Sequence, residues 1–380
     1  MAAITWTVAS AASLPLVYLI VRASQAGKGR ILETLTDPRT RELVLRSSVL
    51  VVAVTSCSVV IAVTLAWLTT RTDLPWRRTW AVLAALPLVV PSYVGGYAFV
   101  AALSPRGLMR DLLSPFGVDR LGDIYGFPGA IALLTLFTYP YVFLTVRAAL
   151  QSSDPAIEEA AMTLGRRRFH WFLTLIIPQL RPAIGAGALL AALYTLHDFG
   201  AVSLLRFDSL TSAIYLSYQG SFDRSRAAVL ALIVIGLSGV VVMGERRLRR
   251  RPGVAAVSSG RHPLTVQLGK WRFAALLFCS CIVVGALGLP LGVIGYWLYR
   301  GLSSEGTVVL SGLGLGASIQ AATLGTFGAL VAAIPVALFS VGPQRRSSRF
   351  LESVSLIGHA LPGVVVGLSL VFFGSRYLPA

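Results

Sequence analysis

From Thr79 to Leu103 the chain runs without a single Asp, Glu, Lys or Arg. Seven more stretches share that property: 2–21, 47–70, 127–146, 227–244, 273–299, 318–341 and 353–375. A ninth, 182–200, carries one charge, Asp198. A helix needs about 20 mostly apolar residues to cross a bilayer, so each stretch is a candidate span. Pro87, Pro91, Gly95, Gly96, Pro290, Pro335 and Pro362 lie inside them. Neighbouring helices can satisfy the backbone groups that such residues free. Composition agrees. Only 13% of residues are charged, against roughly 25% in soluble chains, and mean hydropathy is +0.75. This argues against a soluble enzyme and against disorder, which needs low hydrophobicity. The expected fold is an all-α polytopic membrane protein.

A net charge of +17 would suit a nucleic-acid partner, but the arginines hug span ends and no basic patch interleaves with aromatics. Positive charge instead sets orientation. Loops after the second, fourth, sixth and eighth spans hold 19 Lys and Arg; loops after the odd-numbered spans hold 13. The strongest vote is the cluster Arg246, Arg247, Arg249, Arg250 and Arg251. Lys28, Arg30, Arg39 and Arg41 vote the other way. The balance predicts a cytoplasmic amino terminus. No Lys or Arg precedes the first run, so despite the small-x-small Ser24-Gln25-Ala26 it reads as a retained helix rather than a signal peptide. Cys57, Cys279 and Cys281 lie in apolar runs and read as core residues, not as a disulfide framework. Cys279 and Cys281, two apart, face different directions on a helix.

An offset of 271 residues aligns the chain with itself. Pro91 falls on Pro362, Gly96 on Gly367, Ser47 on Ser318, and the apolar run 48–69 on 319–340. Transporters are often built from such repeats. The expected organisation is a first six-span repeat over 1–246, a basic cytoplasmic linker over 247–272, and the start of a second repeat, three spans, over 273–380. The second copy stops after its second main span, so three more spans are expected beyond Ala380.

Between the fourth and fifth spans, Asp154-Pro155 is a helix-start signal, and Glu158 and Glu159 fall in the first turns. Gly165 stops that helix, with Arg166, Arg167 and Arg168 at its carboxyl end, where the dipole favours cations. An amphipathic stretch from Phe169 to Ile177 then leads to Pro178. A short cytoplasmic helix, a turn and a re-entry suit docking into a groove on a soluble partner.

The order Glu159-Ala160-Ala161, three residues, Gly165, nine residues, Leu175-Ile176-Ile177-Pro178 resembles the EAA loop of type I ATP-binding-cassette importer permeases. Leu175 and Ile177 replace the family's Ile and Leu. The resemblance implies a type I importer transmembrane domain of two tandem six-helix repeats, the second incomplete here. It implies that Glu158, Glu159, Ala160, Ala161, Gly165 and Pro178 couple the chain to a dimer of ATPase subunits. It further implies a bacterial inner-membrane location and an extracytoplasmic substrate-binding protein as partner. Asp198-Phe199-Gly200, Thr211 to Tyr215, and Gly220-Ser221-Phe222-Asp223-Arg224 look more narrowly like the permeases of ferric-iron importers. Thiamine and polyamine permeases share the wider pattern.

Chemistry along the spans is sparse. Asp198, His197 and Tyr194 are candidates for the translocation path, since an ionisable group in a membrane is a functional candidate by default. Tyr139, Tyr141, His359 and Glu352 are weaker ones, and no metal-ligand set is assigned. Gly312-Leu313-Gly314-Leu315-Gly316 lacks the Lys of a phosphate loop, so ATP hydrolysis is expected in another subunit and no cofactor in this one. A secondary transporter would need coupling-ion residues deep in several spans; only Asp198 and Glu352 come near. A non-transporting scaffold or receptor would have no use for the EAA loop.

Overall fold

The computed structural model describes residues 2–153, 174, 176–219, 223–248, 265–303, 312–341, 363 and 365–367. Among these the chain is helical, with one isolated parallel bridge, Thr72 to Val266. The helices are α1 (Ala2–Gln25), α2 (Gly27–Thr36), α3 (Pro38–Arg71), α4 (Arg77–Ala85), α5 (Ser92–Leu103), α6 (Leu108–Leu113) and α7 (Phe127–Ser152). After them come α8 (Ile177–His197), α9 (Gly200–Leu204), α10 (Leu210–Gln219), α11 (Arg224–Leu248), α12 (Arg272–Val283), α13 (Leu289–Ser303) and α14 (Gly312–Val341). Five helical stretches among the described residues are long and apolar enough to cross a membrane, six if one bent pair is a single span. Residues 350–362, the second half of the proposed repeat match, lie outside the described residues.

The chain divides into two compact units. One comprises Met1–Asp37, Ala213–Ile235 and Tyr296–Ala380; in it α1 packs on α14. The other comprises Pro38–Ser212 and Gly236–Gly295 and is built on α3, α7 and α8. On α3 the buried positions Leu43, Ser47, Leu50, Val54, Ser58, Ala62, Leu65 and Ala66 recur every three or four residues, the spacing of one helical face. That face meets α7, where the Ser58 and Thr138 hydroxyls lie 2.8 Å apart and buried. Shared hydroxyl pairs of this kind join helices where apolar surroundings give no hydrophobic drive. On the other side of α7, a Cβ at Gly187 of α8 would stand 2.5 Å from the Val142 Cα. Only glycine lets the two backbones approach so closely.

The uncharged run 79–103 is not one straight span. It forms α4, a 3-10 turn at Leu86–Val89, and α5; the stretches Arg77–Val89 and Ser92–Phe116 meet at a bend of 101°. Pro91 is the cause. A residue before proline is driven out of the α region, and Val90 is extended at φ −85°, ψ 116°. Run 273–299 stays continuous instead: α12 passes into α13 through a π turn at Val284–Gly288. Of the cysteines, only Cys279 is buried; Cys57 and Cys281 are exposed. The core reading therefore fails for two of the three, because their helix faces point away from neighbouring helices.

Candidate functional site

Two places gather the polar chemistry of the larger unit. The first lies where α7 ends and α8 begins. Glu158, Glu159, Ala160, Ala161 and Gly165 lie outside the described residues, but both ends of their loop are described. Leu150 at the close of α7 and Ile176 and Leu180 at the start of α8 share one buried core with Leu68, Leu74 and Val146. Pro178 sits in the first turn of α8, where its missing N–H leaves no partner unsatisfied.

Arg71 ends α3 in the same place and is only 1% exposed. Its guanidinium donates to the Leu150 carbonyl at 2.9 Å and to the Ser153 hydroxyl. Its own carbonyl accepts the Val266 N–H at 2.8 Å. The Val266 carbonyl in turn accepts the Asp73 N–H at 3.2 Å, and Asp73 Oδ1 accepts the Leu268 N–H at 2.8 Å. The buried Arg71 cation thus ties the end of α3 to the last turn of α7, while the Arg71 carbonyl and Asp73 hold the clip made by Val266 and Leu268. Sequence reasoning missed it and counted Arg71 only as a loop charge. The available signal was its position: the last helical residue after an uncharged run, facing a carboxyl end that leaves carbonyls unpaired.

The second place is the break after α8. Asp198 is 8% exposed. Its N–H donates to the Tyr194 carbonyl at 2.9 Å, closing α8. Its Oδ1 accepts the Ala201 N–H at 2.8 Å, opening α9. The Val202 N–H and the Ser92 side chain lie near the carboxylate, and Thr211 Oγ1 donates to its carbonyl at 2.7 Å. Tyr194 also lies near Ser92, and its ring centroid is 5.7 Å from that of Tyr141. Ser92 is the first residue of α5, just past the bend. A Cβ at Gly200 would meet Tyr93 at 3.1 Å, so α9 lies tightly against the first turn of α5. Two broken helices therefore meet at Ser92, Tyr194 and Asp198.

His197 does not join this cluster: its Nε2 lies 2.9 Å from the Ser238 hydroxyl on α11. Tyr139 is wholly buried in the main core. His359 and Glu352 lie outside the described residues. No group of three or more His, Cys, Asp or Glu among the described residues is arranged to hold a metal ion. Asp198 acts on the backbone, as the cap that ends one helix and starts the next.

Discontinuous helices meeting at a polar cluster are a transporter architecture, and comparison with known proteins agrees. Residues 58–252 match the family described as Binding-protein-dependent transport system inner membrane component. The chain belongs to that family. It is similar to the Fe(3+)-transport system permease protein FbpB 2 of Haemophilus influenzae, at 31% identity over 96% of this chain and 69% of the relative. The sulfate transport system permease protein CysT of Escherichia coli is 27% identical over 63% of this chain and 87% of its own length. The molybdenum transport system permease protein ModB of the same organism is 31% identical over 57% and 96%. The fold resembles a chain in the crystal structure of a bacterial alginate ABC transporter in complex with an alginate pentasaccharide-bound periplasmic protein. The TM-score is 0.52 at 16% identity, over 62% of this chain and 88% of that one.

Proposed function

We propose that this permease forms the membrane path of an ATP-driven importer of ferric iron, served by a separate pair of ATPase subunits and an extracytoplasmic binding protein. The observation that carries the reading is the likeness to FbpB 2, which runs along 96% of this chain; the sulfate and molybdenum permeases cover 63% and 57% of it. The organisation that fits is a first repeat over 1–246, a linker over 247–272 and a second repeat from 273 onward, with the amino terminus cytoplasmic.

In this reading the ATPase pair grips the loop carrying Glu158, Glu159, Ala160, Ala161 and Gly165. Both loop ends sit in one core, braced by Arg71, so a displacement of the loop is passed to α7 and α8 together. The far end of α8 is the Asp198 break, where Tyr194, Ser92 and α5 respond; there the path opens or closes. ATP binding shifts that equilibrium only if the ATPase pair binds the two states with different free energies.

The test is uptake of radiolabelled Fe(III), sulfate and molybdate by cells making the complete transporter. Saturable Fe(III) uptake, undiminished by the oxyanions, is expected; uptake of an oxyanion instead overturns the substrate. Gly165→Arg and Glu159→Lys are expected to abolish uptake and co-purification of the ATPase subunit while the spans still insert. Reporter fusions at Arg167, Arg249 and Arg346 are expected to be cytoplasmic, and fusions at Asp119, Phe222 and Ser304 to lie on the other face.

A further inference from the structure

The segment joining α5 to α7 encloses a cleft of about 500 Å³, lined among others by Ser104, Arg106, Arg110, Asp119, Arg120 and Tyr125. Three arginines and one aspartate line it. Arg106 and Arg120 have no ion-pair or hydrogen-bond partner among the described residues. Arg110 is held in place: its Nε donates to the Asp119 carbonyl at 3.0 Å and its Nη1 lies 3.4 Å from Asp111 Oδ1. A fourth cation stands beside the lining. Arg206 adopts a left-handed backbone at φ 53°, with its guanidinium 4.6 Å from the centroid of the Tyr125 ring. Left-handed backbone is unfavourable for a side chain with a Cβ and persists only where the surroundings impose it. Here the Leu205 carbonyl accepts the Gly126 N–H at 2.7 Å and the Val202 carbonyl accepts the Phe207 N–H at 2.9 Å.

The cleft lies at the ends of spans. Ser104 directly follows α5, and Tyr125 comes two residues before α7. Between them, Leu112 on α6 is 68% exposed and Phe116 in the next turn 82% exposed. Large apolar side chains beside exposed arginines are the pattern of a segment lying in the headgroup layer, with apolar groups toward the acyl chains. In that layer the abundant anion is a lipid phosphate. Arg forks match its oxygens.

We infer that this cleft holds the headgroup of a hydroxylated anionic phospholipid, of which phosphatidylglycerol is the simplest. The phosphodiester takes Arg106 and Arg120, with Arg110 behind them. Asp119 selects against bare phosphate, whose charge it repels, and accepts a hydrogen bond from a headgroup hydroxyl. Leu112 and Phe116 keep the segment against the acyl chains.

The experiment uses the purified, delipidated full chain in detergent, titrated with phosphatidylglycerol or phosphatidylethanolamine and read by native mass spectrometry. Phosphatidylglycerol is expected to be retained in preference. Arg106→Gln with Arg120→Gln is expected to weaken it by about tenfold or more, because two charge-assisted contacts are lost. Soluble dihexanoyl phosphatidylglycerol is expected to compete, and inorganic phosphate at the same concentration is not. Equal competition by inorganic phosphate overturns the lipid assignment, and unchanged retention by the double variant overturns the site. If the double variant does not elute as a folded protein, Arg106→Lys with Arg120→Lys keeps the charge and loses the fork. Its retention is expected to fall between wild type and background, and wild-type retention overturns the proposal. Leu112→Ser with Phe116→Ser is expected to lower retention as well.

Discussion

Two uncharged runs with prolines, 79–103 and 273–299, fold differently. The first bends by 101° at Val90; the second stays continuous through a π turn two to six residues upstream of Pro290. Proline chemistry is the same in both: a lost N–H and a ring that clashes with the carbonyl four residues back. For Pro290 that carbonyl belongs to Ala286, inside the π turn, and the wider turn moves it aside. At Pro91 the chain leaves the helix altogether. The difference is the company each proline keeps. Ser92 meets Asp198 and Tyr194, and α9 lies against Tyr93. Pro290 is buried, and its neighbours Leu289 and Val293 pack with Ala98 and Ala102. The bend at Val90 has polar neighbours at Ser92, Tyr194 and Asp198, whereas the π turn lies among apolar ones.

The largest expected effect comes from removing those partners. Asp198→Ala leaves the Ala201 N–H without its acceptor and removes the carboxylate beside Val202 and Ser92, at a cost of about 2 kcal/mol. The thermal midpoint of the purified chain reads it. Asp198→Asn keeps one accepting oxygen and is expected to lose less than half as much. If the partners rather than the proline hold the bend, Pro91→Ala alone leaves the distance between spin labels at Val82 and Tyr97 unchanged. Combined with Asp198→Ala it lengthens that distance toward about 22 Å, the length of fifteen residues of straight helix. A single Pro91→Ala that straightens the run breaks the comparison.

Next in size is the other proline. Pro290→Ala restores an N–H that can bond to the Ala286 carbonyl, so α12 and α13 can join without the π turn. Stabilisation of about 1 kcal/mol is expected, opposite in sign to the loss at Asp198 and visible in the same melting measurement. Destabilisation would mean that the π turn is held by its neighbours, as the bend at Val90 is.

Much of this was legible before the structure. Charge-free length marks a span because hydrocarbon tolerates few charges. Asp198 stood out as the one charge in its run. Its role did not, because capping depends on where Ala201 and Ser92 lie. Pro87 and Pro91 read as tolerable within one span: local sequence says that a proline disturbs a helix, but the choice between bend and bulge belongs to tertiary neighbours. Arg71 was hidden for a related reason. A terminal arginine normally snorkels toward water, and only the approach of Leu150, Ser153 and Val266 makes it a buried brace.

The smallest expected effect lies outside both runs and serves as their control. Arg30 Nη2 is 2.7 Å from Asp223 Oδ2, and Arg226 Nη2 is 2.8 Å from Asp37 Oδ2; Asp223 Oδ1 also accepts the Arg226 N–H at 3.1 Å. Burial on its own would raise the Asp223 carboxyl, but the Arg226 N–H and the Arg30 guanidinium outweigh it and hold it below its ordinary value. A depressed carboxyl favours the folded state while ionised, so its contribution is present above the unfolded value of about 3.9 and is lost as pH falls through the lower folded value. Asp223→Asn is therefore expected to lower the thermal midpoint near neutral pH, and the difference from wild type is expected to shrink once the pH drops below the carboxylate range. Arg30 is exposed, so salt is expected to shrink the difference too. Neither change is expected to move the label distance across Val90. If acid shifts that distance in wild type and not in Asp223→Asn, the bend answers to this ion pair rather than to Ser92 and Asp198, and the contrast between the two runs needs a different cause.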